Sequence, residues 1–144
     1  MSEAPGETVH ASCVAIDGRA VLIAGPSGSG KSDLSLRLID RGAALVSDDY
    51  TELSFRDGRL LARAPAAISG KIEVRGVGIV DFAPAQDALV ALVVELGEPV
   101  ERLPKRKSVT LAGIEIPAVA LAALEASAPL KVERALQLFG LPLP

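Results

Sequence analysis

Apolar positions along the chain fall into short runs, and turn-forming pairs punctuate them. Residues 9–16 alternate enough to read as a strand, Asp17-Gly18 is a hairpin signal, and residues 19–24 form the return strand. The period then changes. Over residues 33–41, Leu34 and Leu38 fall on one helical stripe, and Gly42 marks its end. Residues 43–47 read as a second buried strand, which ends in Asp48-Asp49. Residues 52–56 and 59–63 read as another hairpin around Asp57-Gly58, stopped by Pro65. Gly70, Gly76 and Gly78, spaced among charged residues, make 66–81 read as a mobile or specially shaped loop and not a regular element. Residues 88–96 are the longest apolar run and read as a central strand. Residues 108–111 and 114–116 pair around Ala112-Gly113, and the tail reads as a helix in two pieces broken at Pro129. Strands interleaved with an early and a late helix predict an α/β domain, and the hairpins predict a mixed sheet.

Composition narrows this little. At 144 residues the chain reads as a single domain, 1–144, with residues 1–7 as a frayed tail that lacks the basic and apolar blocks of a secretion signal. A hydrophobic fraction of 49% argues against disorder. No apolar run is long enough to span a membrane, so no membrane partner is expected. Cys13 is the only cysteine, which fits a reducing cytoplasm and excludes an internal disulfide. With a single histidine beside it, no Cys/His metal cluster can form. A net charge of −3, no Trp and few other aromatics argue against nucleic acid as a partner. Arg102, Lys105, Arg106 and Lys107 are the one basic cluster, either a solvated loop or a contact for an acidic or phosphorylated partner.

The chemistry concentrates at Gly25-Pro26-Ser27-Gly28-Ser29-Gly30-Lys31-Ser32, a Gly, four free positions, then Gly-Lys-Ser, between a predicted strand and a predicted helix. Glycines here let backbone amides approach phosphate oxygens, and the helix N-terminus adds further N–H groups. In this pattern Lys31 reaches the outer phosphates and Ser32 offers a hydroxyl to Mg²⁺. The plain alternative is a Gly/Ser turn before a helix. Asp48 and Asp49 end an apolar strand, where phosphate-loop folds bring strand ends beside the phosphates. One carboxylate could hold Mg²⁺ and the other accept a proton from an attacking hydroxyl. The alternative is an ordinary strand-end turn. Glu73, Arg75, Arg102 and His10 carry no specific signal in isolation.

Four ordered segments nevertheless resemble the catalytic domain of HPr kinase/phosphorylase over residues 8–117. They are Val9-His10-Ala11; Gly25 through Asp33; Arg41-Gly42 through Leu45-Val46-Ser47-Asp48-Asp49; and Ile72-Glu73-Val74-Arg75-Gly76-Val77-Gly78-Ile79. The resemblance implies a P-loop kinase-like mixed β-sheet with flanking helices. It implies ATP and Mg²⁺, with Asp49 as general base and His10, Lys31 and Arg102 in catalysis. Ser32 and Glu73 would be the Mg²⁺ ligands, with Asp48 supporting the metal site, and Arg75 would face the protein substrate. The implied activity is serine phosphorylation of an HPr-like phosphocarrier protein of the phosphotransferase system by a cytoplasmic homo-oligomer, a hexamer in the family. The chain looks like a short form lacking the family's N-terminal domain, and Asp33 replaces the family's Glu. After Pro117 it runs Ala118-Val119-Ala120-Leu121, without the Gly and Arg of the family's following loop, which implies weak or absent phosphorylase activity. Two other readings stay open: a small-molecule P-loop kinase, and a nucleotide-binding regulatory module of a carrier-protein or sensor-kinase system.

Overall fold

A computed structural model describes residues 4–85 and 87–144. Its centre is β9 (Ala88–Glu95), where Val90, Ala91, Leu92, Val93 and Val94 are all buried. A strand covered on both faces needs such an unbroken apolar run. One edge of β9 runs parallel to β3 (Arg19–Ala24). The other edge is shared: β6 (Arg59–Arg63) pairs antiparallel at Ala88 and Leu89, and β11 (Ile114–Ala120) pairs parallel from Val93 to Glu95. The sheet therefore forks. Its main path runs β1 (Ala4–Val9), β5 (Thr51–Arg56), β6, β9, β3, β2 (Ala11–Ile16), β4 (Ala44–Ser47), with β10 (Lys107–Leu111) pairing β11 on the branch. The mixed α/β architecture agrees with the expectation from the hairpin signals.

Alternation splits the core in two. Cys13, Ala20, Leu22, Val46, Leu60, Val90 and Ile116 pack on one face. Val14, Val21, Ile23, Leu92 and Val94 pack on the other, against Leu34 and Leu38 of α1 (Lys31–Asp40) and Val132 and Leu136 of α2 (Ala128–Phe139). Each fully buried leucine contributes about 1.5–3 kcal/mol relative to exposure. No helix among the described residues is long and apolar enough to cross a membrane.

Four sequence expectations change. Residues 4–9 are β1, paired with β5, so the frayed tail does not extend to residue 7, while residues 1–3 lie outside the described residues. A bend at His10 divides the expected 9–16 strand between β1 and β2. Residues 66–81 are not a loop: after a short 3-10 turn, β7 (Lys71–Val74) and β8 (Gly78–Asp81) form a separate two-stranded hairpin. Its turn closes through Val77 N–H to Val74 O at 2.9 Å, so glycines at 76 and 78 serve a tight reversal. Finally, Pro129 begins α2 instead of breaking it. It stands in the first turn, where a helix has no use for the missing N–H. The preceding residues are turns, held by the Arg37 guanidinium donating to the carbonyls of Ala123 and Glu125.

Candidate functional site

The phosphate-loop motif connects the end of β3 to α1, and the helix begins inside it, at Lys31. Gly30 is the N-cap, at φ 100°, a conformation that L side chains rarely adopt; a Cβ there would also stand 3.0 Å from Ala123 Cβ. At Gly25 a Cβ would meet Ser29 Oγ at 2.6 Å and Leu96 O at 2.9 Å. Gly25 therefore excludes a side chain on packing grounds, and Gly30 disfavours one by its backbone conformation. Among the described residues no side chain caps α1, so its first amides are not claimed that way. Ser29 N–H donates to Pro26 O at 3.1 Å, while Ser29 Oγ is buried against Gly25 with no hydrogen-bond partner among the described residues. A glycine-rich turn that leads into a helix N-terminus with no side-chain cap fits an anion with several oxygens. The buried Lys31 ammonium donates to Gly25 O (2.9 Å) and Pro26 O (3.1 Å), which leaves one donor for a phosphate.

The acidic pair follows β4, which lies two strands from β3 with β2 between them. The chain turns sharply: Tyr50 N–H donates to Asp48 O at 2.8 Å, and Ser47 Oγ donates to Tyr50 O. Asp49 takes φ 68° in that turn, so two adjacent carboxylates point in different directions. Asp48 is buried. Its Oδ1 accepts from Ser32 Oγ (2.6 Å) and Ser12 Oγ (3.2 Å), and its Oδ2 accepts from Glu73 N–H (3.1 Å). Asp49 is exposed, and its Oδ1 lies 2.8 Å from His10 Nε2. The imidazole of His10 stacks on Tyr50, with ring centroids 5.0 Å apart.

Ser32 and Asp48 thus present two oxygen donors side by side, and the Asp48 bond to the Glu73 amide anchors β7 next to them. No cluster of three His, Cys, Asp or Glu side chains forms among the described residues. A sparse all-oxygen set suits Mg²⁺, which keeps waters and shares phosphate ligands instead of filling a protein cage. The residues present fit that ion.

Of the residues singled out from sequence, the loop, Lys31, Ser32, Asp48, Asp49, His10 and the Glu73 backbone come together. Arg75 is exposed in the β7–β8 turn, and Arg102 is exposed on the 97–106 segment; neither makes a hydrogen bond or ion pair among the described residues. In the basic cluster, Lys107 pairs with Glu95 at 2.6 Å and Arg106 lies over the Phe139 ring. A cavity of about 720 Å³ beside that cluster, lined in part by Lys105, Val119 and Phe139, shares no residue with the loop or the acidic pair. Cys13 is fully buried, and desolvation pushes its thiol far above the ordinary range, so it is no nucleophile. Two site residues were missed: Ser12 and Tyr50. Ser12 carried a signal, a hydroxyl at a position in β2 whose same-face neighbour is the buried Val14. Tyr50 carried none.

Known proteins are similar to this chain. Residues 2–128 match the family model of the HPr Serine kinase C-terminal domain. An HPr kinase/phosphorylase of Clostridium beijerinckii is 45% identical over 78 residues, 54% of this chain and 26% of that protein. One of Clostridium acetobutylicum is 41% identical over 92 residues, 64% of this chain and 30% of its own length. The chain therefore spans about a quarter to a third of these relatives. The solved structure of the Hpr(Ser) kinase/phosphatase from Coxiella burnetii superposes with a TM-score of 0.80 at 31% identity, covering 91% of this chain and 88% of that one. With the phosphate loop, the acidic turn and the forked sheet in place, the chain belongs to the HPr serine kinase C-terminal domain family.

Proposed function

We propose that this chain transfers a phosphoryl group from ATP to a serine of an HPr-like phosphocarrier protein. The observation that carries the proposal is Asp49: an exposed carboxylate, bonded to His10, one residue from a buried carboxylate that is tied to the phosphate-loop serine. Asp49 accepts the proton of the incoming serine hydroxyl as that oxygen bonds to the γ-phosphorus, and the bond to the ADP oxygen breaks. His10 holds the Asp49 carboxylate in one orientation. The amides of Gly28 and Gly30 and those that open α1 cradle the phosphates, and Lys31 turns its ammonium toward the outermost one. Arg102, exposed and without a partner among the described residues, neutralises the transferring group once the two proteins meet. Arg75 meets the protein acceptor. Mg²⁺, held by Ser32, Asp48 and Glu73, would supply charge neutralisation on the phosphates. Positioning and electrostatics account for most of the rate in this class of reaction.

The reverse, phosphorylase reaction is proposed to be weak or absent. Ala118 to Ala120, where the family carries its Gly-Arg loop, are here paired to β9 as strand. A cytoplasmic homo-hexamer is the setting that the family resemblance implies, and sedimentation would read the assembly directly.

The test is labelled ATP with Mg²⁺, with and without purified carrier protein. Label on a carrier serine is expected. ATP consumption without a protein acceptor would favour a small-molecule kinase. Nucleotide binding without any transfer would favour a regulatory module.

A further inference from the structure

Ser12 is fully buried, lies on β2, and is 36 and 37 residues from the two aspartates in sequence, yet its hydroxyl touches both. Ser12 Oγ donates its proton to Asp48 Oδ1 at 3.2 Å and accepts the Asp49 N–H at 3.0 Å. A hydroxyl can do both at once, because it has one donor and two acceptor lone pairs. From this geometry we infer that Ser12 is the positioning residue of the acidic turn: it fixes the left-handed peptide that sends Asp48 inward and Asp49 outward. The inference rests on the kinase reading for its activity assay but not for its structural readout.

The two carboxylates depend on Ser12 unequally. Without the hydroxyl, Asp48 keeps Ser32 Oγ at 2.6 Å and the Glu73 amide at 3.1 Å. The Asp49 amide loses the bond that ties its turn to β2. Asp49 adopts φ 68° against the preference of an L residue, and that conformation needs outside support. Loss of Ser12 therefore disturbs the proton acceptor and spares the phosphate side of the site. A small misplacement of a reacting group costs up to about 100-fold in rate.

The experiment compares wild type, Ser12→Ala and Ser12→Cys. Cysteine keeps the buried volume but is a weak donor and acceptor. Both variants are expected to lose about 10- to 100-fold in kcat, with the KM for ATP within about twofold of wild type. Thermal melts establish that each is folded. His10 is the only histidine, so its imidazole ¹⁵N signals read the Asp49 contact directly. One hydrogen-bonded tautomer is expected in wild type and a mixture in both variants, with faster hydrogen exchange at the Asp49 amide. If Ser12→Cys behaves as wild type, the residue acts by packing and the inference is overturned. It is equally overturned if kcat holds or if ATP affinity falls in step with rate. If wild type phosphorylates no carrier, the kinase reading fails by itself, and the tautomer and exchange data still decide the role of Ser12.

Discussion

Asp49 occupies a backbone conformation that costs a non-glycine residue about 1 kcal/mol, and it stays there because Ser12, Ser47 and the Asp48 carbonyl hold the turn from three sides. Asp49→Asn keeps that shape and removes the carboxylate proposed as proton acceptor. Phosphorylation of carrier serine should fall about 10²- to 10⁴-fold, while ATP affinity, read by calorimetry, stays near wild type. Lys31→Ala should do the opposite, weakening ATP binding itself, since on the proposed reading the donor left over from Gly25 O and Pro26 O serves the phosphate. At this scale the loop and the acidic pair were legible because each is a local pattern, a few residues whose spacing encodes one geometry. The links between them were not. The Ser12 and His10 contacts to the turn span 36 to 39 residues, and only strand pairing brings them together.

Elements announced themselves where period and turn chemistry agreed, as in β2–β3 and β5–β6, whose reversals fall at the Asp-Gly pairs. They failed where one cue outweighed the rest. Three glycines hid the β7–β8 hairpin, although Ile72 and Val80 pair across it and Lys71 meets Asp81 at 2.8 Å. Pro129 was read as a break because a proline inside a helix and one in its first turn look alike until the start of the helix is known. The turns before that start are held from afar by Arg37, which reaches from α1 to the carbonyls of Ala123 and Glu125 and also pairs with Asp33. Arg37→Ala should lower stability by about 1–3 kcal/mol in denaturant titration, through loss of these carbonyl bonds. An unchanged midpoint would show that the turn holds without them.

The molecule as a whole is a forked sheet with one apolar face closed by its own strands and the other by α1 and α2, so the strand ends that carry the site rest on a packed base. Cys13 lies inside that base and reports on it. Iodoacetamide should leave the native thiol unmodified and label it fully in denaturant; rapid labelling of the native protein would mean that the closed face opens readily. The thiol also gives stability a pH slope. Above about pH 8.5 the unfolded chain releases the thiol proton while the folded one, its pKa raised by burial, retains it. Stability should therefore decline as pH rises beyond that value, and a Cys13→Ser or Cys13→Ala variant that still folds should lose that part of the slope. The parallel pairing of β9 with both β3 and β11 was the feature of the whole that sequence patterns left unspecified, since an apolar run does not name its partners.

The most direct measurement is site mapping by mass spectrometry of HPr-like carrier proteins after incubation with ATP, Mg²⁺ and either this chain or its Asp49→Asn variant. Phosphate on a single carrier serine with wild type, reduced about 100-fold or more with the variant, is the predicted result. Equal phosphorylation by both, or phosphate on no carrier residue while ATP binding persists, would contradict the account.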